Sequence, residues 1–200
     1  TIDFTIASWI KMGTTANGTY SIYVKGIGET ANRGQIWLYV DSSDRITLQI
    51  EGTAGGQTAT YSSTTTIDDT GWHHVALAAD RDGNLVFVID GGSAESVSIA
   101  GSSTYNTSST DNARIGTNSV AGAGWFNGTI DQMLVYSRAL SVPELQGLYT
   151  GTGGTPEVIN VTASALLDGT HGAADDIDIT VTFSETVVVD TGGGTPQLLL

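Results

Sequence analysis

The chain has 200 residues and a mass of 20.7 kDa, enough for one substantial hydrophobic core. Its 21 Asp and Glu residues outnumber its 7 Lys and Arg residues and give a formal net charge of -14. This charge disfavours nucleic acid and anionic lipid headgroups as partners, because both are bound through basic patches. No apolar run approaches the roughly 18 residues that a transmembrane helix needs, so membrane insertion is not expected. The absence of cysteine excludes disulfide bonds and thiolate chemistry.

Apolar and polar residues alternate in short segments along the first 136 residues, which is the period of half-buried β-strands. The predicted strands, in chain order, are Phe4–Lys11, Tyr20–Lys25, Gln35–Val40, Ile46–Glu51, His73–Ala79, Leu85–Asp90, Ala113–Ile115 and Thr129–Tyr136. Segments 52–66 and 92–110, which are rich in Ser, Thr and Gly, are expected to add short strands or loops. So many short strands predict an all-β, two-sheet antiparallel sandwich of the jelly-roll type.

One short helix is predicted near the C-terminal end of this domain. Ser141 stands three residues before Glu144, and Pro143 lies in what would be the first turn, which is the pattern of a capping box. Leu145 and Leu148 would then face the sheets.

The remainder of the chain is predicted to begin a second domain. Residues 150–156 are glycine-rich and read as a linker. The alternation of residues 177–183 predicts a strand, and shorter strands are predicted at Val158–Thr162, Val187–Val189 and Leu198–Leu200. Residues 157–200 are too few for a sandwich of roughly 100 residues. The predicted organisation is therefore a domain at 1–149, the linker, and a truncated second β-sandwich at 157–200.

Five segments of the first domain resemble, in their order, the laminin G-like, concanavalin A-like jelly-roll modules of secreted bacterial proteins. They are Phe4–Lys11, Gly71–Ala76, Ile89–Gly91, Phe126–Asp131 and Val135–Ser141. The resemblance extends from Phe4 to Tyr149, and the first strand that is usual in such modules would precede Thr1. It implies non-catalytic binding, often to glycans and sometimes with calcium.

The tail resembles the opening of an immunoglobulin-like repeat of large bacterial surface proteins, in Ala165–Thr170 and Ile177–Glu185. Such neighbours imply that the lectin-like domain is one part of a long secreted or surface-attached polypeptide. The location implied is extracellular or at the cell surface. The other domains of the same polypeptide would then be partners.

No catalytic constellation is predicted. Glycosidases of this fold place two carboxylates on one strand, but the first domain has no such pair, and Asp176 with Asp178 lies in the tail. His73, His74 and His171 are interpreted as structural. Residues 80–84 imitate the start of an EF-hand, but Leu85 falls where its glycine is needed, so a hairpin turn is predicted there.

Asp131 is the candidate metal ligand. It lies on an otherwise apolar predicted strand, where a buried carboxylate would need hydrogen bonds or a cation. The sequence leaves two alternatives open, a structural hydrogen-bond network and a calcium site.

Aromatic residues are the candidate carbohydrate contacts, because sugars present apolar C–H faces to flat rings. If Leu38 and Val40 face the core, Trp37 and Tyr39 face outward beside Gln49, which could form a sugar platform. Cross-strand packing under a neighbouring loop would explain the two aromatic residues nearly as well. Trp125, on a predicted loop, is the alternative. The other two tryptophans, Trp9 and Trp72, are predicted to be packing residues.

The function predicted from these features is a non-catalytic, extracellular carbohydrate-binding or adhesion module. Two rival interpretations remain open. One is a purely structural spacer, and the other is an accessory binding domain of a secreted glycosidase or protease.

Overall fold

The structure, a computed structural model, describes residues 2–14, 18–26, 34–118, 124–151, 158–163 and 179–183. The chain divides into two compact units, Thr1–Gly151 and Thr152–Leu200. The described strands of the first unit are β1 (Phe4–Met12), β2 (Tyr20–Lys25), β3 (Gln35–Val40), β4 (Arg45–Glu51), β5 (Thr58–Thr66), β6 (Trp72–Ala79), β7 (Asn84–Ile89), β8 (Glu95–Ser98), β9 (Arg114–Ile115) and β10 (Gly128–Tyr136). A 3-10 turn, Ala100–Ser102, follows β8, and helix α1 (Val142–Thr150) follows β10.

The strands form two antiparallel five-stranded sheets. The first sheet has the order β10-β1-β6-β7-β8, and the second has the order β5-β4-β3-β2-β9. The predicted all-β jelly-roll sandwich is confirmed, and every predicted strand up to Tyr136 is present with ends that differ by at most one residue. The Ser- and Thr-rich segments supply β5 and β8.

The core lies between the inner faces of the sheets and is mainly aliphatic. Alternation along each strand sends every second side chain inward. In β3 and β4, for example, Leu38 pairs with Leu48 and Val40 pairs with Ile46, and all four side chains are buried in one cluster. Burial of this continuous apolar face supplies the main driving force that holds the two sheets together.

Helix α1 packs on the outer face of the first sheet, where the side chains are small. Ala7, Ala76 and Ala78 leave room for Leu145 and Leu148, and these residues form a second buried cluster. Small residues on the sheet let the helix approach closely, so the helix buries its leucines without a second layer of large side chains.

The predicted capping box is present at the start of α1. The Glu144 carboxylate accepts hydrogen bonds from the Ser141 backbone N–H and from its hydroxyl, both at 2.7 Å. It also forms an ion pair with Arg138 at 2.6 Å. The hydrogen bond from Arg138 is the largest cause that lowers the pKa of Glu144 to about 2, and the bonds from Ser141 lower it further.

Replacing Glu144 with glutamine should lower the free energy of unfolding by about 1 kcal/mol at pH 7. The amide keeps an acceptor for Ser141 but loses the ion pair. Because the native pKa is depressed, the carboxylate stabilises the fold above pH 4.5, and this stability is lost as the pH falls toward 2. Urea unfolding of both proteins at several pH values checks this result. Arg138→Gln is the matched control, since it removes the same ion pair. A difference in unfolding free energy between the natural chain and Glu144→Gln that stays constant down to pH 2 would contradict the assignment.

The second unit contains a described antiparallel pair, β11 (Val158–Ala163) and β12 (Ile179–Phe183). The predicted strands at 158–162 and 177–183 correspond to it. The predictions at Val187–Val189 and Leu198–Leu200, and most of the predicted linker, lie outside the described residues. The immunoglobulin-like character of this unit stays a prediction.

Candidate functional site

The outer face of the second sheet brings the predicted sugar-contacting residues together. Because Leu38 and Val40 are buried in the core, the alternate residues Trp37 and Tyr39 lie on the opposite face. Trp37 pairs with Gln49 and Tyr39 pairs with Thr47, as the sequence predicts.

Two rows of side chains cross this face, since directly paired residues point to the same side of a sheet. The first row is Thr60, Gln49, Trp37, Val24 and Arg114, and the second is Ser62, Thr47, Tyr39 and Ser21. We call these nine residues the aromatic face. A hydrogen bond of 2.9 Å between the hydroxyls of Thr47 and Ser62 supports the second row.

Trp37 and Tyr39 stack on each other, with ring centroids 4.2 Å apart and an interplanar angle of 34°. Trp37 is half-buried, and its indole N–H donates a 3.0 Å hydrogen bond to the Ser21 hydroxyl. Tyr39 is only 9 % exposed. The prediction of two exposed aromatics is therefore wrong for Tyr39, because its ring lies against Trp37. Burial raises the pKa of the Tyr39 hydroxyl, and the nearby Asp41 carboxylate adds to this effect.

Gln49 lies directly across the strand pair from Trp37 and is half-buried. Within the part of the chain that the structure describes, its amide has no hydrogen-bond partner. The arrangement thus offers one partly exposed ring, Trp37, backed by a second ring and accompanied by a free amide. A ring with nearby donors and acceptors suits a flat, hydroxylated ligand.

Trp125 lies beside the same face. The Ser21 backbone N–H donates to the Gly124 carbonyl at 3.3 Å, so the loop that bears Trp125 borders β2 at the residue that also binds Trp37. Trp125 is 62 % exposed. The sequence predicts Trp37 and Trp125 as alternative sugar contacts, whereas the structure places their segments next to each other.

Ser21 and Arg114 are among the six members of the aromatic face that the sequence-based candidates do not include. Both lie on predicted strands, but their position beside Trp37 depends on the pairing of β2 with β3 and β9. Strand order is not encoded in alternation, so sequence patterns alone could not find them.

The burial predicted for Asp131 is wrong. Its side chain is exposed, because β10 is an edge strand and Asp131 pairs with Trp9 on the outer face of the first sheet. The pairing shifts register after this residue, and Gln132 adopts a φ of 48° while its N–H donates to the Asp131 carboxylate at 2.8 Å. The described ranges contain no group of three or more His, Asp or Glu residues arranged to hold a metal.

The two histidines of β6 have opposite surroundings. His73 lies between two carboxylates, with Nδ1 at 2.8 Å from Asp90 and Nε2 at 3.1 Å from Asp69. Burial acts to lower its pKa, but the hydrogen bonds and charges of both aspartates outweigh it and raise the pKa. His74 is buried against Trp9, with ring centroids 5.3 Å apart. Burial lowers its pKa to about 4. The third histidine, His171, lies outside the described residues.

Two further local predictions have opposite outcomes. The hairpin turn at residues 80–84 is confirmed, since the N–H of Asp80 donates to Asn84 and that of Gly83 donates to Asp80. The packing role predicted for Trp72 is wrong, because this residue is 45 % exposed. It begins β6 on the outer face, opposite Lys11 and beyond the helix that covers the small side chains.

A cavity of about 750 Å³ opens elsewhere, at one end of the sandwich. Ile2, Phe4, Lys25 and Ile36 line it together with residues 103–109. The Lys25 ammonium donates to the Ser109 and Asp111 carbonyls and so ties this loop to β2. This lysine therefore stabilises the loop.

The laminin G family model for the concanavalin A-like lectin/glucanases superfamily matches residues 1–146. The chain belongs to this superfamily. The match spans the strands of both sheets, including every member of the aromatic face. No curated protein matches the chain.

The solved structures that are similar to this concanavalin A-like domain include two binding domains. The Ruminococcus gnavus IT-sialidase CBM40 bound to alpha2,3 sialyllactose is 20 % identical, with a TM-score of 0.60 over 74 % of this chain and 83 % of that chain. The botulinum neurotoxin serotype G binding domain is 18 % identical, with a TM-score of 0.57 over 74 % of this chain and 36 % of that chain. At these identities the likeness shows the shared fold. No helix in the described ranges is long and apolar enough to cross a membrane.

Proposed function

We propose that this chain is an extracellular, non-catalytic module that binds a carbohydrate or a glycosylated surface through the aromatic face. The observation that supports it best is the stacked Trp37–Tyr39 pair with the free Gln49 amide beside it and Trp125 at the border. The stack holds Trp37 in one orientation, which lowers the conformational entropy that a ligand would have to remove.

The structural neighbours support a glycan as the ligand class. The CBM40 of the Ruminococcus gnavus sialidase is described bound to alpha2,3 sialyllactose and to alpha2,6 sialyllactose. Cell entry of botulinum neurotoxin type C depends on interaction with two ganglioside molecules. Neighbouring domains of a larger bacterial surface or secreted protein are further proposed partners. Calcium at Asp131 also stays a proposal, and it rests on the family resemblance alone.

Trp37→Ala should weaken glycan binding at least about tenfold and should lower the free energy of unfolding by only about 1 to 2 kcal/mol. The ring is half-buried and loses one hydrogen bond to Ser21, whereas truncating a fully buried tryptophan costs about 3 to 5 kcal/mol. A glycan array identifies the ligand, and calorimetric titration with thermal melting then measures both quantities for each variant.

Trp72→Ala is the matched control, because it removes an exposed tryptophan from the other sheet. It should leave glycan binding unchanged. If Trp37→Ala binds as tightly as the natural chain, the aromatic face is not the site. A natural chain that binds no glycan on the array would favour the spacer interpretation.

A further inference from the structure

Arg114 is the cation of the aromatic face. The register of the second sheet places it in one row with Trp37, since Val24 pairs with Trp37 on one side and with Arg114 on the other. Neighbouring strands lie about 4.8 Å apart, so the backbones of Trp37 and Arg114 are separated by about 10 Å. Val24, between them, is fully buried.

The guanidinium of Arg114 lacks the partners that the other three described arginines have. Arg45 pairs with Asp41 at 2.8 Å, Arg138 pairs with Glu144, and Arg81 donates to two carbonyls. Among the described residues, no group hydrogen-bonds to the Arg114 side chain, and its Nε is buried without a partner. In a chain of net charge -14, an arginine without a carboxylate is conspicuous.

An unpaired guanidinium in the same row as an aromatic ring suits a particular ligand chemistry. A guanidinium binds a carboxylate through two parallel hydrogen bonds, and such charge-assisted bonds are roughly twice as strong as neutral ones. The Arg114 side chain is only partly buried, so a ligand carboxylate would approach its terminal Nη atoms rather than the buried Nε. The spacing of about 10 Å places the cation within reach of a substituent on a sugar that rests on Trp37.

We infer that the aromatic face takes an acidic glycan, whose carboxylate binds Arg114 while a sugar ring rests on Trp37. This inference depends on the proposed function, because it names the ligand class of the same site. It gives two residues of the first row, Trp37 and Arg114, different roles in binding. Trp37 contributes contact that neutral and acidic sugars share, and Arg114 contributes the preference for the acid.

The test compares each acidic ligand with a form whose carboxyl group carries no charge. The probes are sialyllactose and a disaccharide that ends in glucuronic acid, each beside its methyl ester, with lactose as the neutral reference. Arg114→Gln should weaken binding of at least one free acid about tenfold or more and leave the affinities for the esters unchanged within about twofold. Arg114 is partly exposed and unpaired, so thermal melts should show a folded variant.

Arg45→Gln is the control, since it removes the same charge from the same sheet at an arginine already paired with Asp41. It should not change the preference for the acids. Equal affinity of the natural chain for acids and esters would overturn the inference and leave glycan binding intact. Equal weakening of acids and esters by Arg114→Gln would also overturn it. If the natural chain binds none of the probes and no glycan on the array, both the inference and the proposed function are wrong.

Discussion

Replacing Arg81 with methionine is expected to lower the free energy of unfolding by about 3 kcal/mol. The Arg81 side chain is only 1 % exposed, although it belongs to the tight turn between β6 and β7. Its Nη2 donates to the Ser102 carbonyl at 2.8 Å and to the Tyr105 carbonyl at 3.2 Å. These two hydrogen bonds connect the segment that follows β8 to the turn between β6 and β7.

The expected loss of unfolding free energy comes from the two carbonyls that lose their hydrogen-bond donor, and not from poorer packing. Methionine has a similar length and fills much of the same space, but it cannot donate to Ser102 or Tyr105. A buried carbonyl left without a partner costs about 1 to 3 kcal/mol. Part of this cost is offset, because burial already disfavours the charged form and lowers the pKa of Arg81.

Arg45→Met is the control, because Arg45 is paired with Asp41 and its own side chain is 43 % exposed. Exposed pairs contribute at most about 1 kcal/mol. Urea unfolding of the three proteins measures the difference, and amide hydrogen exchange should show lost protection around residues 99–105 in Arg81→Met alone. A variant within about 1 kcal/mol of the natural chain would show that water satisfies the two carbonyls.

Arg81 also illustrates why the sequence predicts the sheets better than it predicts the loops. Alternation determines which face of a strand is buried, so the strands and their inward faces follow from local pattern. The same pattern assigns residues 80–84 to a turn, which is correct. It gives no sign that the turn's arginine reaches a segment twenty residues later, because that contact depends on how the loops pass over the end of the sandwich.

The candidate site also has features that follow from the sequence and features that do not. The outward direction of Trp37 and its pairing with Gln49 follow from the hairpin. The burial of Tyr39 does not follow, because it depends on how one ring stacks against the other. The prediction for Asp131 is wrong for a related reason, because an apolar sequence does not show whether a strand lies inside a sheet or at its edge. In the structure that strand is at an edge, and an edge strand leaves outward side chains in solvent.

Acidification is expected to reveal a large pH-dependent contribution of His74 to stability. The side chain is 2 % exposed, and its Nδ1 is buried without a hydrogen-bond partner. The ring packs against both Trp9 and Tyr149, with centroid distances of 5.3 and 6.0 Å. In such surroundings a positive charge cannot be hydrated, and burial lowers the pKa of His74 from 6.5 to about 4, although the Asp90 carboxylate opposes this change.

The sign of the effect follows from linkage between protonation and folding. Between pH 6.5 and about 4, the unfolded chain binds a proton at this histidine and the native chain does not. Stability is therefore complete above pH 6.5 and falls as the pH decreases toward 4. The difference between 6.5 and about 4, at about 1.4 kcal/mol per pKa unit, corresponds to about 3 kcal/mol.

His74→Phe removes this titration and keeps an aromatic ring in place. Relative to the natural chain, the variant should gain about 3 kcal/mol between pH 7.5 and pH 4, whatever its stability at the higher pH. The other acidic groups titrate in both proteins, so the difference between their urea unfolding curves isolates His74.

His73 provides the opposite control, because its raised pKa stabilises the fold below pH 6.5 and this contribution is lost as the pH rises through its native value. His73→Asn should therefore lose relative stability on acidification, whereas His74→Phe gains it. Parallel stability profiles for the natural chain and His74→Phe would mean that the native protein admits water or a proton beside Trp9.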